Sequence, residues 1–256
     1  MVKKIFGNAG NKVVIEDFLS GEEASYIVLT DGKNVLPFPP SQDHKPIFDG
    51  DKGPNTGGMG AYSPAPIITD KLSEDIISTI ILPAVHNMAR ENLPYKGVLY
   101  GGLMIEENKT AKVLEFNARF GDPETQPLLM LIKSDIVPIL QAVIEGKLEN
   151  CQIEWENKFA VCVVMAQKGY PKSYDKGMLI TGIKEAEDLE NVKVFHAGTV
   201  LKDGKFYTAG GRVLGVTALG DNIKSAIELA YHAVSMISWE GVYYRKDIGK
   251  KALTHA

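Results

Sequence analysis

The stretch EFNARFGDPETQ, Glu115 to Gln126, sets polar side chains at every second position: Glu115, Asn117 and Arg119. Successive side chains of a strand point to opposite faces, so on an extended chain these three share one face while Phe116 and Ala118 take the other. That face offers a carboxylate, an amide oxygen and a guanidinium. The first two are hard oxygen donors, the kind a magnesium ion takes when waters and phosphate oxygens complete its shell. The guanidinium fork binds a phosphate and offsets charge as a phosphoryl group transfers. A half-exposed strand with its polar side in water is the plainer meaning of such alternation, and the neighbouring stretches decide against it.

Two other stretches fit the same nucleotide chemistry. In GPNTGGMGAY, Gly53 to Tyr62, the glycines let backbone N–H groups approach an anion closely. In VVIEDFLSGEE an adenine can lie against an apolar strand edge and bond to backbone near Glu16 and Leu19, with Glu23 accepting the ribose hydroxyls. The chain has no GxxxxGK[ST] string, and GGMG neither follows a clean strand nor opens a helix, so neither the P-loop nor the dinucleotide fingerprint is the device.

The elements that must position these residues follow from periodicity. Lys12 to Phe18 reads as a short strand, and Ala24 to Leu29 with Asn34 to Phe38 as a hairpin around Asp31-Gly32. Ser41 to Pro66 is too rich in Gly and Pro for a regular element and too long for a mere connector, which marks a functional loop. Asp70 is an N-cap candidate for a helix carrying Leu72, Ile76, Ile80 and Val85 on one face, with a kink or break at Pro83. Val98 to Ile105 and Lys112 to Phe116 form a second hairpin, whose outgoing strand carries the opening motif. Asp122-Pro123 reads as cap and first position of a helix, and another helix runs from Ser134 or Asp135 to Glu145 with Gly146 closing it. Beyond a lapse of periodicity near 150 to 158, taken as a domain boundary, the chain turns strand-rich until a last helix, Asn222 to Ile237.

Composition points to a small-molecule partner. With 28 Lys+Arg against 32 Asp+Glu the net charge is −4, which offers no general attraction to nucleic acid or to an anionic membrane. Two cysteines without CxxC spacing imply neither a disulfide framework nor a zinc site, and fit a reducing, cytoplasmic setting. No stretch is long and apolar enough to span a bilayer.

Taken together, IEDFLSGEEAS, SQDHK, GPNTGGMGAYSPAP, EFNARFGDPETQ, VFHAGT, GGRVLGV and YYRKDIG, which stand in the family's order, give the chain its resemblance. It resembles the phosphoribosylamine-glycine ligases (glycinamide ribonucleotide synthetases), ATP-grasp enzymes of purine biosynthesis. The resemblance implies an α+β fold. Residues 20–152 would form the ATP-grasp large subdomain, a mixed or antiparallel sheet with helices, and residues 153–256 a small strand-rich C-terminal substrate-binding domain. Residues 1–19 would be a remnant of the small ATP-grasp lobe and its hinge, with the family's N-terminal domain and most of that lobe without counterpart.

The reaction implied is phosphorylation of the glycine carboxylate by ATP, then attack of phosphoribosylamine on glycyl phosphate to give glycinamide ribonucleotide, ADP and phosphate. Carried over by residue, Glu115 and Asn117 resemble the Mg2+ (or Mn2+) pair, Arg119 the phosphate-neutralising residue, and Glu16, Leu19 and Glu23 the adenosine clamp. Asp122 resembles a sugar contact, with helix capping as its compatible alternative, and Arg212 is the candidate for the 5'-phosphate ahead of Lys246. Asp43, Asn55, Thr56, Gly57 and Gly58 are candidates for the substrate side, Asp43 for the glycine ammonium, whereas His44 is structural and Glu124 a complement to its helix dipole. Related ligases carry a further acid about where Gly101-Gly102-Leu103 stands, so a second metal would rest on phosphates and water. The expected partners are ATP, glycine and phosphoribosylamine, together with an N-terminal complementing polypeptide or self-association through Val13 to Ile15. The alternative is a truncated remnant, or one half of a split ligase, that binds Mg-nucleotide without turning over alone.

Overall fold

The computed structural model describes residues 12–255. The expected remnant of the small lobe falls partly on residues 1–11, outside the described residues. Residues 13–20 form no regular element, and Val13, Val14, Ile15 and Phe18 are exposed. The strand expected over Lys12 to Phe18 is therefore corrected. Its residues have strand propensity, but among the described residues no neighbouring strand supplies the ladder that would fix it.

Chain order then gives β1 (Glu22–Thr30) and β2 (Val35–Pro37), the hairpin expected around Asp31. Asp31 Oδ1 accepts from the Lys33 and Asn34 amides, which closes that turn. The segment expected to be an irregular loop instead contains four short strands, β3 (Gln42–Asp43), β4 (Pro46–Phe48), β5 (Lys52–Asn55) and β6 (Gly60–Ser63). Four residues or fewer are too short to show a period, and the glycines that suggested a loop are places where backbone or bulky side chains approach closely.

Helix α1 (Asp70–Ile76) is capped by Thr69, whose side chain accepts from the Leu72 amide, one residue before the expected Asp70 cap. A π-helical turn over Ile77–Ile81 joins it to α2 (Leu82–Arg90), and Pro83 lies in the first turn of α2, as the expected break requires. Strands β7 (Gly97–Ile105) and β8 (Ala111–Asn117) complete a four-stranded antiparallel sheet in the order β2-β1-β7-β8. On one face Tyr26, Val28 and Leu103 share a core with Ile76, Ile81 and Val85 of the kinked helix. On the other, Ile27, Leu29 and Tyr100 pack with Leu128, Ile139 and Val143.

The last two groups come from α3 (Thr125–Met130) and α4 (Ile136–Glu145). Asp135 caps α4, and Gly146 closes it in the left-handed conformation that favours glycine. The helix expected to open at Asp122-Pro123 starts at Thr125 instead: the Asp122–Pro123 peptide is cis, and residues 122–124 form a turn.

The remaining elements are β9 (Phe159–Gln167), α5 (Ile183–Glu187), β10 (Val192–His196), β11 (Thr199–Lys202), β12 (Lys205–Thr208), β13 (Arg212–Gly220), α6 (Ile223–Met236) and β14 (Val242–Tyr243). They build a second sheet in the order β10-β13-β9-β6-β3, with β14 also on β9 and α6 laid across β9 and β13. Ala226, Ala230 and Ala233 are fully buried, and their small side chains bring α6 close to the strands. Through β3 and β6 this sheet joins residues 42–63 to residues 159–220 by backbone hydrogen bonds.

Candidate functional site

The opening motif lies on β8, and the sheet register aims it. Ser25, Gly102 and Glu115 are cross-strand neighbours, as are Ile27, Tyr100 and Asn117, so Glu115 and Asn117 share one face as expected. An irregularity opposite Gly102 and Leu103 pairs Leu103 with Val113 and Gly102 with Glu115. The extra residue, Leu114, switches Glu115 to the face opposite Val113, which is how a bulge re-aims a side chain beside a site. β8 ends at Asn117. Arg119 therefore stands in the bend beyond the strand rather than on it, a correction to the three-residue face, and it donates to the Phe120 carbonyl at 2.8 Å.

Glu115 opens into a cleft of about 190 Å³ lined by Asp43, Lys45, Thr56, Gly57, Tyr100, Glu115, Arg119, Gly121, Asp122 and Glu124. A second hollow of about 210 Å³, which includes Glu23, Asn55, Asp51 and Met104, shares Asp43 and Lys45 with the first. The two form one groove along the β1-β7-β8 face, with Asp43 and Lys45 at its waist. Of the residues expected to act, it brings together Asp43, Asn55, Thr56, Gly57, Glu115, Arg119 and Asp122, with Glu23 at its far end. Glu16 and Leu19 line neither part: Glu16 is exposed and Leu19 half-buried. Gly58 shapes the loop, its amide donating to Thr56 Oγ1 at 3.0 Å.

Backbone hydrogen bonds hold the SQDHK segment and the glycine loop together. The Thr56 amide donates to the Lys45 carbonyl at 2.8 Å, the Met59 amide to His44 at 2.8 Å and the His44 amide to Gly60 at 2.9 Å. His44 is buried, and burial pulls its imidazole down to about 4, so it is neutral at pH 7 and structural as expected.

The electrostatics centre on Asp43, whose carboxyl is pushed up to about 7 by burial and then by the charge of Glu124. For Lys45 burial works to lower the ammonium, but the Glu23 carboxylate at 2.6 Å, with Asp43 and Glu115, outweighs it and holds the group above its ordinary value. Glu124 is 3% exposed and accepts from Ser25 Oγ at 2.9 Å and Tyr100 Oη at 3.0 Å, both on Oε1. It is a buried acid on the cleft wall that also stands at the N-cap position of α3, where its charge can complement the helix dipole.

Lys45, Glu124, Tyr100 and Ser25 are the residues the sequence reading missed. Lys45 had a signal, since it stands two residues from Asp43 in the same string. Glu124 had none, because only the turn over residues 122–124 directs it inward.

Arg212, expected on a substrate phosphate, is engaged by the protein itself. Nη2 donates to Asp122 Oδ2 at 2.8 Å, and Nη1 donates to Asp122 Oδ1 at 3.1 Å, the Asp122 carbonyl at 3.1 Å and the Gly57 carbonyl at 2.7 Å. A Cβ on Gly57 would lie 2.9 Å from the guanidinium carbon, so a side chain there would push the guanidinium out of this position. Lys246 is exposed, while its neighbour Arg245 is fully buried against Asp51 and Asp247.

The donor types suit a divalent cation, but of the two only Glu115 lines the cleft. Asn117, on the same face two residues on, lines neither hollow, and its amide has a buried nitrogen without a partner, where turning the amide by half a rotation would bring its oxygen. Among the described residues no group of three or more His, Cys, Asp or Glu gathers for a metal, so phosphate oxygens and water would complete the shell. Among the described residues, too, no helix is long and apolar enough to cross a membrane.

Comparison with known proteins agrees with the family resemblance. The family model described as phosphoribosylglycinamide synthetase, ATP-grasp (A) domain, matches residues 1–125, and that of the C domain matches residues 160–251. Phosphoribosylamine-glycine ligase of Rhodopirellula baltica is 54% identical over 255 residues, 99% of this chain and 58% of the relative. That of Vibrio parahaemolyticus is 51% identical over 248 residues, again covering 58% of the relative. The chain thus spans 58% of the length of these curated relatives. The crystal structure of the Thermotoga maritima phosphoribosylamine-glycine ligase superposes with a TM-score of 0.81 at 34% identity, over 91% of this chain and 56% of that one. The biotin carboxylase domain of Hydrogenobacter thermophilus 2-oxoglutarate carboxylase, at 15% identity and a TM-score of 0.63, shares the fold alone. By sequence and by fold the chain belongs to the phosphoribosylglycinamide synthetase family, with the family's ATP-grasp and C-domain regions in order.

Proposed function

We propose that the groove serves the ATP-dependent ligation of glycine to 5-phosphoribosylamine, giving glycinamide ribonucleotide, ADP and phosphate by way of glycyl phosphate. The observation that carries this reading is the meeting, in one groove, of Glu115, Arg119, Asp43 and Lys45. In the first step a glycine carboxylate oxygen attacks the γ-phosphorus and ADP leaves. In the second, the amine nitrogen attacks the carbonyl carbon, the C–N bond forms, the C–O bond to phosphate breaks and the nitrogen sheds a proton. Positioning and charge neutralisation do most of this work. Glu115 and Asn117 would hold the divalent cation, which when bound neutralises polyphosphate charge. Arg119 would face the transferring phosphoryl group, and Glu23 the ribose. Asp43 would hold the glycine ammonium, with Glu124 beside it as a second negative charge. A side-chain nucleophile is not needed, and Cys162, buried and with its thiol pushed up to about 12 by that burial, is unsuited to be one.

The exposed Val13, Val14, Ile15 and Phe18 would dock a complementing polypeptide or a second copy, completing the adenosine clamp at Glu16 and Leu19. The test is glycine-dependent ADP release, measured with the chain alone and with the remaining length of a relative supplied as a separate polypeptide. Turnover in either arm supports the ligase. ADP binding without turnover in both arms would leave a nucleotide-binding module, and absence of both would refute the reading.

A further inference from the structure

Away from the groove, a pocket of about 420 Å³ lies between β4, β14 and the turn after β9. Its walls include Phe48, Tyr170 and Tyr243 over Ile47, with Lys168 and Lys172 at its edge. That volume is within the range of small-molecule sites, which are mostly apolar with a few convergent polar groups. No carboxylate lines it, and among the described residues neither lysine forms an ion pair, so the pocket carries two uncompensated positive charges.

The aromatic walls are held in place rather than collapsed into the space. Tyr243 Oη donates to the Ile47 carbonyl at 2.9 Å, and its ring meets Phe48 edge-on with centroids 6.4 Å apart. Tyr170 Oη accepts from the Gly57 amide at 3.0 Å. Two close approaches let the rings sit there: a Cβ on Gly53 would come within 2.5 Å of the Phe48 ring, and one on Gly211 within 2.3 Å of the Tyr170 ring. A preformed pocket of this kind binds without first ordering its walls.

We infer that this pocket is a second binding site, for a planar aromatic ring bearing a phosphate. The ring would enter among Phe48, Tyr170 and Tyr243, and the phosphate would reach Lys168 and Lys172. Tyr170 ties it to the groove, because the amide its hydroxyl holds belongs to Gly57, which lines the cleft and carries the Arg212 contact. A filled pocket therefore alters nucleotide binding at the groove through that loop.

Calorimetry of the chain with phenyl phosphate, inorganic phosphate and phenol tests the site. Phenyl phosphate is expected to bind at least about tenfold more tightly than either part alone. Phe48→Ala and the double variant Lys168→Ala/Lys172→Ala should each weaken it about tenfold. These side chains are exposed at the rim, so the variants should keep the parent's unfolding midpoint. Arg119→Ala, in the groove, should leave phenyl phosphate binding unchanged. Equal binding of inorganic phosphate or of phenol, or loss of binding in Arg119→Ala with none in the pocket variants, would overturn the site. For the link to the groove, phenyl phosphate should shift ADP affinity at least about twofold in the parent and not in Tyr170→Phe. No shift in the parent, or the same shift in both, would overturn that link. Because phenyl phosphate binding is read without turnover, it can fail while the ligase reading stands, and the converse.

Discussion

The guanidinium of Arg212 meets the carboxylate of Asp122 as a two-pronged pair, Nη2 to Oδ2 at 2.8 Å and Nη1 to Oδ1 at 3.1 Å. The same nitrogen Nη1 reaches the Gly57 carbonyl, so one side chain of β13 fastens the glycine loop to the turn that carries Asp122 and Glu124. A fork of this geometry is not reproduced by lysine.

If Arg212 is a clamp, Arg212→Lys and Gly57→Ala should act alike. Both should lower kcat at least about tenfold, since a misplaced positioning group costs turnover even when the chemistry is distant. A direct phosphate contact predicts a different pattern: the KM of one substrate rises in Arg212→Lys, while Gly57→Ala behaves as the parent. Steady-state kinetics with each substrate varied in turn separates the two. Arg212→Ala should also cost about 1–2 kcal/mol in urea unfolding, discounted for the half-exposed Asp122 partner.

The metal assignment is tested without turnover. Glu115→Gln removes the charge of one donor, and Asn117→Ala removes the buried amide with its unpartnered nitrogen. Each should weaken magnesium-dependent ADP binding at least about tenfold, whereas ADP binding in EDTA should be the same in parent and variants. Calorimetry giving the parent's affinity in both variants would remove these residues from the cation site.

How far the site was legible depended on how local its determinants are. Glu115 and Asn117 sit two apart on one strand, so the period-2 rule found their common face, and the hairpin that carries them was equally plain in the alternation from Val98 to Phe116. The bulge at Leu114 was not legible, because it is defined by a partner strand rather than by β8 itself. Glu124 looked like an ordinary first-turn acid and became a buried one through the turn before α3 and through Ser25, 99 residues away in sequence. The short strands β3 to β6 were hidden for a related reason: two to four residues leave no period, and β6 is a strand because β9 and β3 pair with it, one on either side. Val13 to Ile15 failed the opposite way, carrying the propensity for a strand without a neighbour to pair among the described residues.

Asp43 gives the groove a pH dependence whose sign can be worked out. Its carboxyl, pushed up to about 7 by burial and by Glu124 and opposed by Lys45, keeps its proton in the folded protein over a range where the unfolded chain has lost it. The folded state then binds more protons, so this group's contribution to stability falls as pH rises from about 4 to about 7, and is level above that. Asp43→Asn should flatten that slope in urea midpoints measured across the range. Holding an ammonium requires the ionised form, so glycine should bind more tightly as pH rises through about 7, and the dependence should vanish in Asp43→Asn. Glycine affinity that is constant from pH 6 to 8 in the parent would take Asp43 out of the ammonium site.

Arg245 is the stability counterpart to these functional groups. It is fully buried, donates to Asp247 through Nε and Nη2, both at 2.7 Å, and to Asp51 and the Pro46 carbonyl at 3.0 Å through Nη1. It thereby joins the segment after β14 to the β4-β5 hairpin, on which the Asn55 and Thr56 side of the groove is built. Arg245→Ala leaves Asp247 facing a vacated cavity, while Asp51 keeps its pair with Lys251, and should cost about 3–5 kcal/mol, the range for removing one partner of a buried pair. Burial works to raise the Asp247 carboxyl, but the Arg245 fork and the Gly50 amide hold it well below the usual range. A carboxylate so depressed stabilises the fold above its unfolded pKa of about 4, and that stabilisation is lost as pH falls below it. The difference between parent and Arg245→Ala should therefore be full at pH 7 and shrink below about pH 4. Urea unfolding at the two pH values reads this directly, and a loss of the same size at both would mean that cavity formation, not charge, is what the substitution costs.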